Sequence, residues 1–332
     1  MATVEMREPG GPGMLLPGER PVPRPAPGEL LIEVAAAGVN GPDLMQRRGL
    51  YPPPKGASDL LGLEVSGTVV EVGAAVSGWH AGDPITALTN GGGYAEYVAV
   101  HSRHCLPPPP GVPLRDAAGL PETFFTVWSN IFIEGGGLRP GMTLLVHGGA
   151  GGIGSTAIQL GKAFGARVFA TESPAARCDF CRALGADRVV DYASEDFVEV
   201  VRAEAGGADV ILDIVGGPYV ARNIKAASPG ARIVQLAFAL GSKIELDLMP
   251  VMLKRITYTG STLRSRPDDV KAIIAERLRR EVWPLFEAGK LTALTNRMLP
   301  FREAAQAHTL MEQAGHTGKI LLVADRLWDI SA

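Results

Sequence analysis

The stretch Thr143-Leu-Leu-Val-His-Gly-Gly-Ala-Gly-Gly-Ile-Gly-Ser-Thr-Ala-Ile-Gln-Leu160 decides the fold of this chain. A short apolar run leads into Gly149, Gly151 and Gly154, which have the spacing G-x-G-x-x-G, and an amphipathic helical pattern follows. A strand, a glycine turn and a helix in this order form the context that a dinucleotide-binding motif requires. The stretch therefore predicts a phosphate-binding turn near the start of an α/β domain.

The residues of this turn have different predicted roles. Gly149 is expected to permit the sharp turn, Gly151 to let the main chain approach a pyrophosphate, and Gly154 to let the helix pack closely. The first helical amides, including those of Gly152 and Ile153, offer N–H groups and a positive dipole end to phosphates. The alternative, a tight turn with no ligand, is disfavoured by the pattern of strands and helices around it.

Short apolar runs alternate with helical patterns from about residue 123 to residue 263. Six strands at this spacing predict a doubly wound parallel sheet, with Gly165 and Gly185 as C-terminal helix caps. The last strand is expected at the sheet edge, where pairing with a second copy would give a homodimer. The strand candidates are 143–147, 167–171, 188–190, 209–213, 232–236 and 256–260.

The flanking segments have a different pattern of apolar residues. Residues 1 to about 122 contain short alternating runs, such as 29–35, 67–73 and 94–100, that predict a mostly β domain of barrel type. Helical patterns follow near 267–288 and 302–313, and a final strand near 318–324 is expected to return to the first domain. We therefore predict one domain from residues 1–122 plus 264–332 and another from residues 123–263.

The composition limits which binding partners and which cellular compartment are expected. The 332 residues carry 32 Lys and Arg against 35 Asp and Glu, a net charge of −3, which gives no reason to expect nucleic acid or an anionic membrane. Three cysteines, Cys105, Cys178 and Cys181, fit a reducing cytosol better than a disulfide framework. No apolar signal region opens the chain and no run of 18 apolar residues occurs, so a cytoplasmic protein is expected.

Six segments spread over the whole chain carry a family resemblance. Together they resemble the zinc-free quinone oxidoreductases of the medium-chain dehydrogenase/reductase superfamily, near zeta-crystallin and the tumour-suppressor-induced quinone reductases. The resemblance implies a GroES-like catalytic domain interrupted by a Rossmann domain, with a nicotinamide cofactor in the cleft between them. The segments are residues 37–51, 62–67, 120–123 with Thr126 beyond, the glycine turn, 260–264 and 318–320.

The metal ligands of the zinc-dependent relatives are missing. Those relatives carry a Cys near position 40, a His before the glutamate of a Gly-x-Glu motif, and a lobe with four Cys. Here the two positions are Asn40 and Leu63, and residues 88–100 contain no Cys. Glu64 remains and is expected to be a structural hydrogen-bond acceptor. We therefore predict no zinc site.

Without a Lewis acid, the easier chemistry is hydride delivery to an electron-poor acceptor. The predicted function is thus NAD(P)H-dependent reduction of a quinone, by direct hydride transfer in the cleft. One alternative is reduction of an activated alkene, such as an enal or an enoyl thioester. The other is a dinucleotide-binding protein without activity.

Four residues are candidates for the substrate side. Asn40 is expected to hold a substrate carbonyl, with a role in the Asn-Gly-Pro turn as the alternative. Tyr51 precedes three prolines and is expected to stack on a quinone or donate a proton, water being the other donor. Asp43 is taken as the start of a helix at 43–48, and Arg47 as a charge able to neutralise a reduced oxygen; for both, a structural role is the alternative.

The choice of nucleotide depends on residues at the end of the second Rossmann strand. Thr171 and Glu172 end that strand, and an acid there usually binds ribose hydroxyls and repels a 2′-phosphate. Ser173 and Arg177 are able to bind such a phosphate, and Tyr192 resembles a residue lining it. We favour NADPH from the resemblance, although Glu172 replaces the small residue usual there, so NADH stays open.

The contacts to the nicotinamide half are implied by the resemblance. They lie at the ends of strands and helices, where parallel sheets bind ligands. Gly216 and Gly217 are expected to let the backbone approach the nicotinamide ribose. These expected contacts are Thr126, Gly216, Phe238, Leu263, Arg264 and Lys319.

Overall fold

The computed structural model describes residues 1–328, and these residues form two compact units. The first unit comprises Met1–Phe125 together with the chain from Arg264 onward. The second unit is Thr126–Leu263. None of the helices within residues 1–328 is both long enough and apolar enough to cross a lipid bilayer.

The strands and helices are numbered in chain order. The strands are β1 Ala2–Met6, β2 Leu15–Glu19, β3 Glu29–Gly38, β4 Glu64–Val72, β5 Pro84–Leu88, β6 Tyr97–His101, β7 Cys105–Leu106, β8 Thr143–His147, β9 Arg167–Glu172, β10 Arg188–Asp191, β11 Ala208–Asp213, β12 Ala227–Gln235, β13 Thr257–Gly260, β14 Thr295–Pro300 and β15 Lys319–Val323. The helices are α1 Gly41–Arg47, α2 Leu114–Ala117, α3 Pro121–Val127, α4 Gly152–Ala163, α5 Ala175–Ala183, α6 Phe197–Ala205, α7 Pro218–Ala226, α8 Met249–Lys254, α9 Asp268–Arg277, α10 Pro284–Glu287, α11 Ala304–Glu312 and α12 Asp325–Trp328.

The second unit is built on a six-stranded parallel sheet in the order β10-β9-β8-β11-β12-β13. Counted within this unit, the order is that of a doubly wound dinucleotide-binding sheet, so the predicted α/β fold is confirmed. Leu145, Phe169, Ile211 and Ile233 are fully buried in its core. Strand β13 lies at the edge, as its sequence predicts.

One strand of this sheet is longer than its sequence indicates. The prediction placed it at 232–236, whereas β12 begins at Ala227. Pro229 and Gly230 have the composition of a turn, and Gly230 has a φ of 79°. Both residues are exposed, and they lie where the pairing with β11 shifts register. A local irregularity in the ladder thus accommodates residues that usually end a strand.

The first unit contains a seven-stranded sheet in the order β14-β15-β3-β4-β5-β7, with β6 also paired to β3. Strand β15 pairs antiparallel with β3, Leu322 opposite Ala37, so the last strand returns to the first segment of the chain. A two-stranded sheet, β1-β2, accompanies it. Together with the second unit, this confirms the predicted fold of a parallel-sheet Rossmann domain and a GroES-like domain.

The predicted helical regions after residue 263 are also present. The stretch predicted at 267–288 consists of α9, a π-helical turn at Leu278–Val282, and α10. Helix α11 fills the region predicted at 302–313. In the second unit, Gly165 and Gly185 have φ of 78° and 98° and terminate α4 and α5, as expected.

Candidate functional site

The glycine turn of the second unit connects β8 to α4, and the structural roles of its glycines differ from those predicted. Gly148 has the left-handed φ of 69° that makes the sharp turn, which was expected of Gly149. Gly149 is instead required by close packing, because a Cβ there would lie 2.8 Å from Cys181 Sγ and 3.0 Å from Ala170 Cβ. The turn is therefore shaped by one glycine more than the motif indicates.

Gly154 and Gly151 differ in what surrounds them. A Cβ on Gly154 would lie 2.1 Å from the Gly148 carbonyl oxygen, so close packing requires this glycine. A Cβ on Gly151 would meet only that same carbonyl oxygen, at 3.7 Å. Folding thus does not demand glycine at 151, yet glycine leaves the approach to the α4 N-terminus open. The first amides of α4, which have no side-chain cap, fit the phosphates of a dinucleotide.

Glu172, at the end of β9, ties the second strand to the glycine turn. Its carboxylate accepts hydrogen bonds from Ala150 N at 2.8 Å and Ser173 N at 3.0 Å. It also accepts from Arg177 Nε at 3.2 Å and Nη2 at 3.1 Å. A carboxylate has about four acceptor positions, so the buried Glu172 is saturated by these contacts. The acid and the cation, which were expected to compete for the nucleotide, are bound to each other.

Thr171 supports the turn with both its backbone and its side chain. Its carbonyl accepts from the amides of Gly148 and Gly149, and its hydroxyl lies 2.9 Å from His147 Nδ1. His147 Nε2 lies 2.7 Å from the acceptor Asn223 Oδ1, so Nε2 carries the proton and Nδ1 accepts from Thr171. Burial lowers the pKa of His147. The Thr171 side chain is therefore engaged within the protein rather than directed at a ligand.

Asp213, at the end of β11, is a residue that the sequence analysis missed. Its carboxylate accepts from Val215 N at 2.6 Å and from Gly216 N at 2.9 Å, which fixes the loop after the strand. Gly216 has φ of 66°, and a Cβ there would lie 2.6 Å from Phe238 Cδ1. An acid at the carboxyl end of a parallel strand was the available signal.

The other predicted nucleotide residues of the second unit are spread along the chain. Tyr192 and Phe238 are exposed, at 49% and 46% of their surface. Thr126 is largely buried, and its carbonyl accepts from Asn130 Nδ2 at 2.9 Å. Leu263 is buried. Only the first two therefore offer open side chains to a ligand.

In the first unit, Lys319 and Asn40 do not have the roles expected of them. Lys319 Nζ donates to Glu64 Oε1 at 2.7 Å, to Asn40 Oδ1 at 2.5 Å and to Val39 O at 3.2 Å. Asn40 Nδ2 donates to Glu64 Oε1 at 2.9 Å. All three ammonium protons are used, because a buried cation needs charged and polar partners. Lys319 is thus not free for a nicotinamide, nor is the Asn40 amide free for a substrate carbonyl.

These residues also do not fit a zinc ion. Glu64 Oε2 accepts from Glu122 N at 2.8 Å, so both Glu64 oxygens are occupied by protein donors. Positions 40 and 63 are Asn and Leu, and a bound ammonium lies beside them. Within residues 1–328 no group of three or more His, Cys, Asp or Glu side chains is arranged to hold a metal.

Asp43 is the structural carboxylate of α1, not its first residue. The helix begins at Gly41 with Asn40 as its N-cap, and Asp43 Oδ2 accepts from the Asn40 amide at 2.9 Å. Asp43 Oδ1 accepts from Gly62 N at 2.9 Å. Burial raises the pKa of Asp43 to about 6. The side chain therefore joins a helix N-terminus to a neighbouring loop and is not directed at a substrate.

Arg47, at the other end of α1, is fully buried. Its Nη2 is bound to Glu312, its Nε donates to Gly10 O at 3.0 Å, and its Nη1 donates to His308 Nδ1 at 3.2 Å. This guanidinium was expected to neutralise a reduced oxygen, but its burial and its partners rule against direct contact with a substrate.

Tyr51, in contrast, has an unoccupied hydroxyl. Within residues 1–328 the structure gives this hydroxyl no hydrogen-bond partner, and burial raises its pKa. The guanidinium carbon of Arg264 lies 5.8 Å from the ring centroid. Arg264 is held by Asn90 O, at 3.0 Å from Nε and 2.7 Å from Nη2, and by Gln46 Oε1 at 2.6 Å. The structure thus brings Arg264 to the predicted substrate residue Tyr51.

Glu122 is the second residue that the sequence analysis missed. It lies in the first turn of α3, where an acid after a proline is easily read as a helix-terminal charge. Its carboxyl makes no hydrogen bond or ion pair within the part of the chain that the structure describes. Burial and the nearby Glu64 charge raise the pKa of Glu122 to about 8.

Comparisons with known proteins agree with this architecture. Residues 26–110 match the family described as alcohol dehydrogenase GroES-like domain, and residues 152–279 match the family described as zinc-binding dehydrogenase. The spectinabilin polyketide synthase system protein NorB of Streptomyces orinoci is 34% identical over 312 residues, which cover 92% of this chain. The chain spans about 14% of the length of that protein.

Three solved structures are similar over nearly the whole chain. An NAD-dependent alcohol dehydrogenase is 32% identical, with a TM-score of 0.86 and coverage of 98% of this chain and 100% of that one. The CurK enoyl reductase is 27% identical, with a TM-score of 0.84 and coverage of 97% and 99%. The Escherichia coli quinone oxidoreductase complexed with NADPH is 25% identical, with a TM-score of 0.84 and coverage of 97% and 100%.

Proposed function

The chain belongs to the medium-chain dehydrogenase/reductase superfamily, and from this premise we propose that it is a zinc-independent NAD(P)H-dependent reductase of quinones. The observation that carries the proposal is the open approach to the α4 N-terminus beside Gly151, bordered by glycines that packing requires. The donor set of the first unit supports it, because Glu64 and Asn40 are bound to the Lys319 ammonium.

Each part of the second unit has a role in holding the nucleotide, which supplies a hydride when it is bound. The glycine turn and the first amides of α4 bind the pyrophosphate. Glu172 and Arg177 border the adenosine end, and Asp213 fixes the loop that carries Gly216. We favour NADPH because an arginine suits a 2′-phosphate and because the similar E. coli enzyme is complexed with NADPH.

The test is rapid mixing of the full chain with NADPH or NADH and a 1,2- or 1,4-quinone, following nucleotide absorbance. We expect oxidation that depends on the quinone and is faster with NADPH. Nucleotide binding by calorimetry without turnover of any acceptor would instead support a non-catalytic dinucleotide-binding protein.

A second candidate function is reduction of an activated alkene. The likeness to the CurK enoyl reductase favours it, as does the unpartnered Glu122 carboxyl, because alkene reduction requires a proton on carbon. The same assay with an enal and an enoyl thioester compares the two classes through kcat/KM. A larger value for the alkenes would assign the chain to them.

We also propose a homodimer and a cytoplasmic location. Strand β13 has no neighbour on its outer side within the described residues, and Tyr258 on it is exposed. Exposed edge strands usually pair or are covered, which supports pairing with a second copy. The free and buried Cys105, Cys178 and Cys181 support a reducing compartment. The partner proposed for the site is a small molecule, not nucleic acid or membrane.

A further inference from the structure

Among the residues that the structure describes, Glu122 differs from the carboxylates near it because its carboxyl has no hydrogen-bond or ion-pair partner. Both oxygens of Glu64 and both oxygens of Asp43 accept from Lys319, Asn40 or backbone amides. The Glu122 amide is anchored on Glu64 Oε2, which fixes the first turn of α3, but its partly buried carboxyl has no hydrogen bond or ion pair within residues 1–328. A partly buried carboxyl without a protein partner is available to a ligand.

The surroundings of Glu122 keep it protonated at neutral pH. Burial is the largest influence, and the negative charges of Glu64 on β4 and Asp43 on α1 act in the same direction. The ammonium groups of Lys319 on β15 and Lys271 on α9 oppose them without cancelling them. The result is a pKa of about 8, in the range that suits a general acid.

The polar groups near Glu122 suit a polar acceptor. The Tyr51 hydroxyl also lacks a hydrogen-bond partner within residues 1–328. The Glu122 charge is among the influences on the pKa of Tyr51, so the two groups lie within electrostatic reach. Arg264 lies beside the Tyr51 ring and is anchored on Asn90. Lys271 Nζ donates to Asn90 Oδ1 and to Arg264 O, both at 2.7 Å. The charges of Arg264 and Lys271, which other residues hold in place, thus act on Tyr51 and on Glu122 respectively.

We propose that Glu122 is the proton donor of the reduction, with Tyr51 orienting the oxygen of the acceptor; this inference rests on the proposed function. A bound nicotinamide nucleotide would supply the hydride, with its electron pair, to the acceptor. The Glu122 O–H bond breaks, and the proton goes to the quinone oxygen or, in an alkene, to the carbon next to the carbonyl. The acceptor gains two electrons, the nucleotide is oxidised, and water returns a proton to Glu122.

Tyr51 is the weaker of the two acids. Its pKa is raised from 10.0, whereas that of Glu122 stays near 8. A donor whose pKa lies near the working pH transfers its proton more readily. The Tyr51 hydroxyl therefore serves better as a hydrogen-bond donor to the acceptor than as the source of the proton.

The experiment compares Glu122→Gln, Glu122→Asp and wild type with NADPH and 1,4-benzoquinone or trans-2-hexenal, over a range of pH. For wild type, we expect kcat/KM to fall above an apparent pKa near 8. Glu122→Gln should lower kcat about 100-fold and abolish this alkaline decline, and Glu122→Asp should restore part of the rate. Glu287→Gln, on the exposed end of α10, is the matched control and should behave as wild type.

A second measurement does not depend on the activity of the variants. Infrared difference spectra of the wild-type chain, with Glu122→Asp as reference, should show a protonated carboxylic acid at pH 7 that ionises near the kinetic pKa. An active wild type whose Glu122→Gln variant keeps both the rate and the alkaline decline would overturn the assignment, as would an ionised Glu122 at pH 7. A wild type that reduces no acceptor would overturn the proposed function instead, while the infrared titration would still report on Glu122.

Discussion

The Lys319 ammonium lies 2.7 Å from the Glu64 carboxylate, and the two side chains are 9% and 0% exposed. The two residues belong to β15 and β4, which are far apart in the sequence. Each charge would be costly to bury alone, and together with the Asn40 amide they satisfy one another. This cluster stabilises the first unit at a position where the sequence had indicated contacts to substrate and cofactor.

Removing one charge of this pair should be strongly destabilising. Lys319→Met leaves Glu64 buried without its cation, so we expect the free energy of unfolding to fall by about 3–5 kcal/mol. Denaturant unfolding followed by circular dichroism measures the change. Lys162→Met is the control, because its partner Asp187 lies at the surface and such pairs contribute at most about 1 kcal/mol. Equal losses in the two variants would contradict the interpretation.

Acid should weaken the fold through His308. Arg47 can only donate, so His308 Nδ1 accepts from it, and Nε2–H donates to the Tyr94 hydroxyl at 3.2 Å. Burial and the Arg47 charge lower the pKa of His308 from 6.5 to about 3. A histidine with a lowered pKa contributes stability that is complete above pH 6.5 and is lost as the pH falls towards 3.

The test is the pH dependence of the unfolding free energy in wild type and in His308→Gln, whose amide can replace both hydrogen bonds. Between pH 7 and pH 4, we expect wild type to lose about 3 kcal/mol more than the variant. His80→Gln, at a side chain that is 84% exposed, should follow the wild-type curve. Parallel curves for wild type and His308→Gln would show that the imidazole does not resist protonation.

Two glycines of the turn should respond differently to the same substitution. Gly154→Ala places a Cβ 2.1 Å from the Gly148 carbonyl oxygen, so we expect a loss of about 1–3 kcal/mol of stability. Gly151→Ala has room for its Cβ and an extended backbone with φ of −73°, so its melting temperature should stay near that of wild type. Its Cβ would instead occupy the approach of the pyrophosphate.

The measurement for this pair combines thermal unfolding with nucleotide titration by calorimetry. For Gly151→Ala we expect the Kd for NADPH to rise at least about tenfold, equivalent to ~1.4 kcal/mol, without a loss of stability. A Gly151→Ala chain that binds as tightly as wild type would place the nucleotide elsewhere.

The parts of the molecule that the sequence predicts well depend on local patterns. The strand predicted at 143–147 has the bounds of β8, because an apolar run closed by glycines is a signal contained in a few residues. Pro229 and Gly230 show the limit of such signals, since β12 continues through both of them. A turn composition is tolerated there because the neighbouring strand shifts its register.

Side-chain partners could not be predicted in this way. Whether Lys319 faces a nucleotide or a carboxylate depends on Glu64 and Asn40, which the fold brings to it from other strands and loops. Likewise, nothing local distinguishes Glu122 from an ordinary helix-terminal acid. What distinguishes it is that its carboxyl has no partner in the described part of the chain, and that other charges lie near it. The side-chain contacts that decide the chemistry depend on the tertiary structure, whereas most strands and helices follow from local sequence patterns.

Glu172 should control the choice between the two nucleotides. Glu172→Ala removes a negative charge from the proposed adenosine end, together with the hydrogen bonds from Arg177 Nε and Nη2. We expect the ratio of kcat/KM for NADPH to that for NADH to rise at least about tenfold, the value of one charge-assisted hydrogen bond. Steady-state kinetics with both nucleotides at one quinone concentration measures this ratio.

The ratio distinguishes the effect of losing the Glu172 charge from the effect of losing the hydrogen bond that Glu172 accepts from Ala150 N. A less rigid turn weakens the binding of both nucleotides equally, so this effect cancels in the ratio of the two kcat/KM values. Glu172→Gln keeps an acceptor for Ala150 and removes the charge, and it should show the same direction of change. Glu199→Ala, at an exposed position on α6, should leave the ratio as in wild type. A ratio that moves towards NADH would contradict the assignment of Arg177 to the 2′-phosphate.

The edge of the second unit should determine the oligomeric state. Thr257 is exposed on β13, the last strand of the sheet, and within residues 1–328 this strand pairs only with β12 on its inner side. In a two-fold pairing of β13 with its copy, Thr257→Lys would bring two like charges to one interface. We expect sedimentation velocity to show a dimer for wild type and a dissociation constant at least about tenfold higher for Thr257→Lys. Gln306→Lys adds the same charge on the exposed face of α11 and should remain dimeric. A wild-type chain that is monomeric at all concentrations, or a Thr257→Lys dimer as tight as wild type, would exclude pairing through this edge.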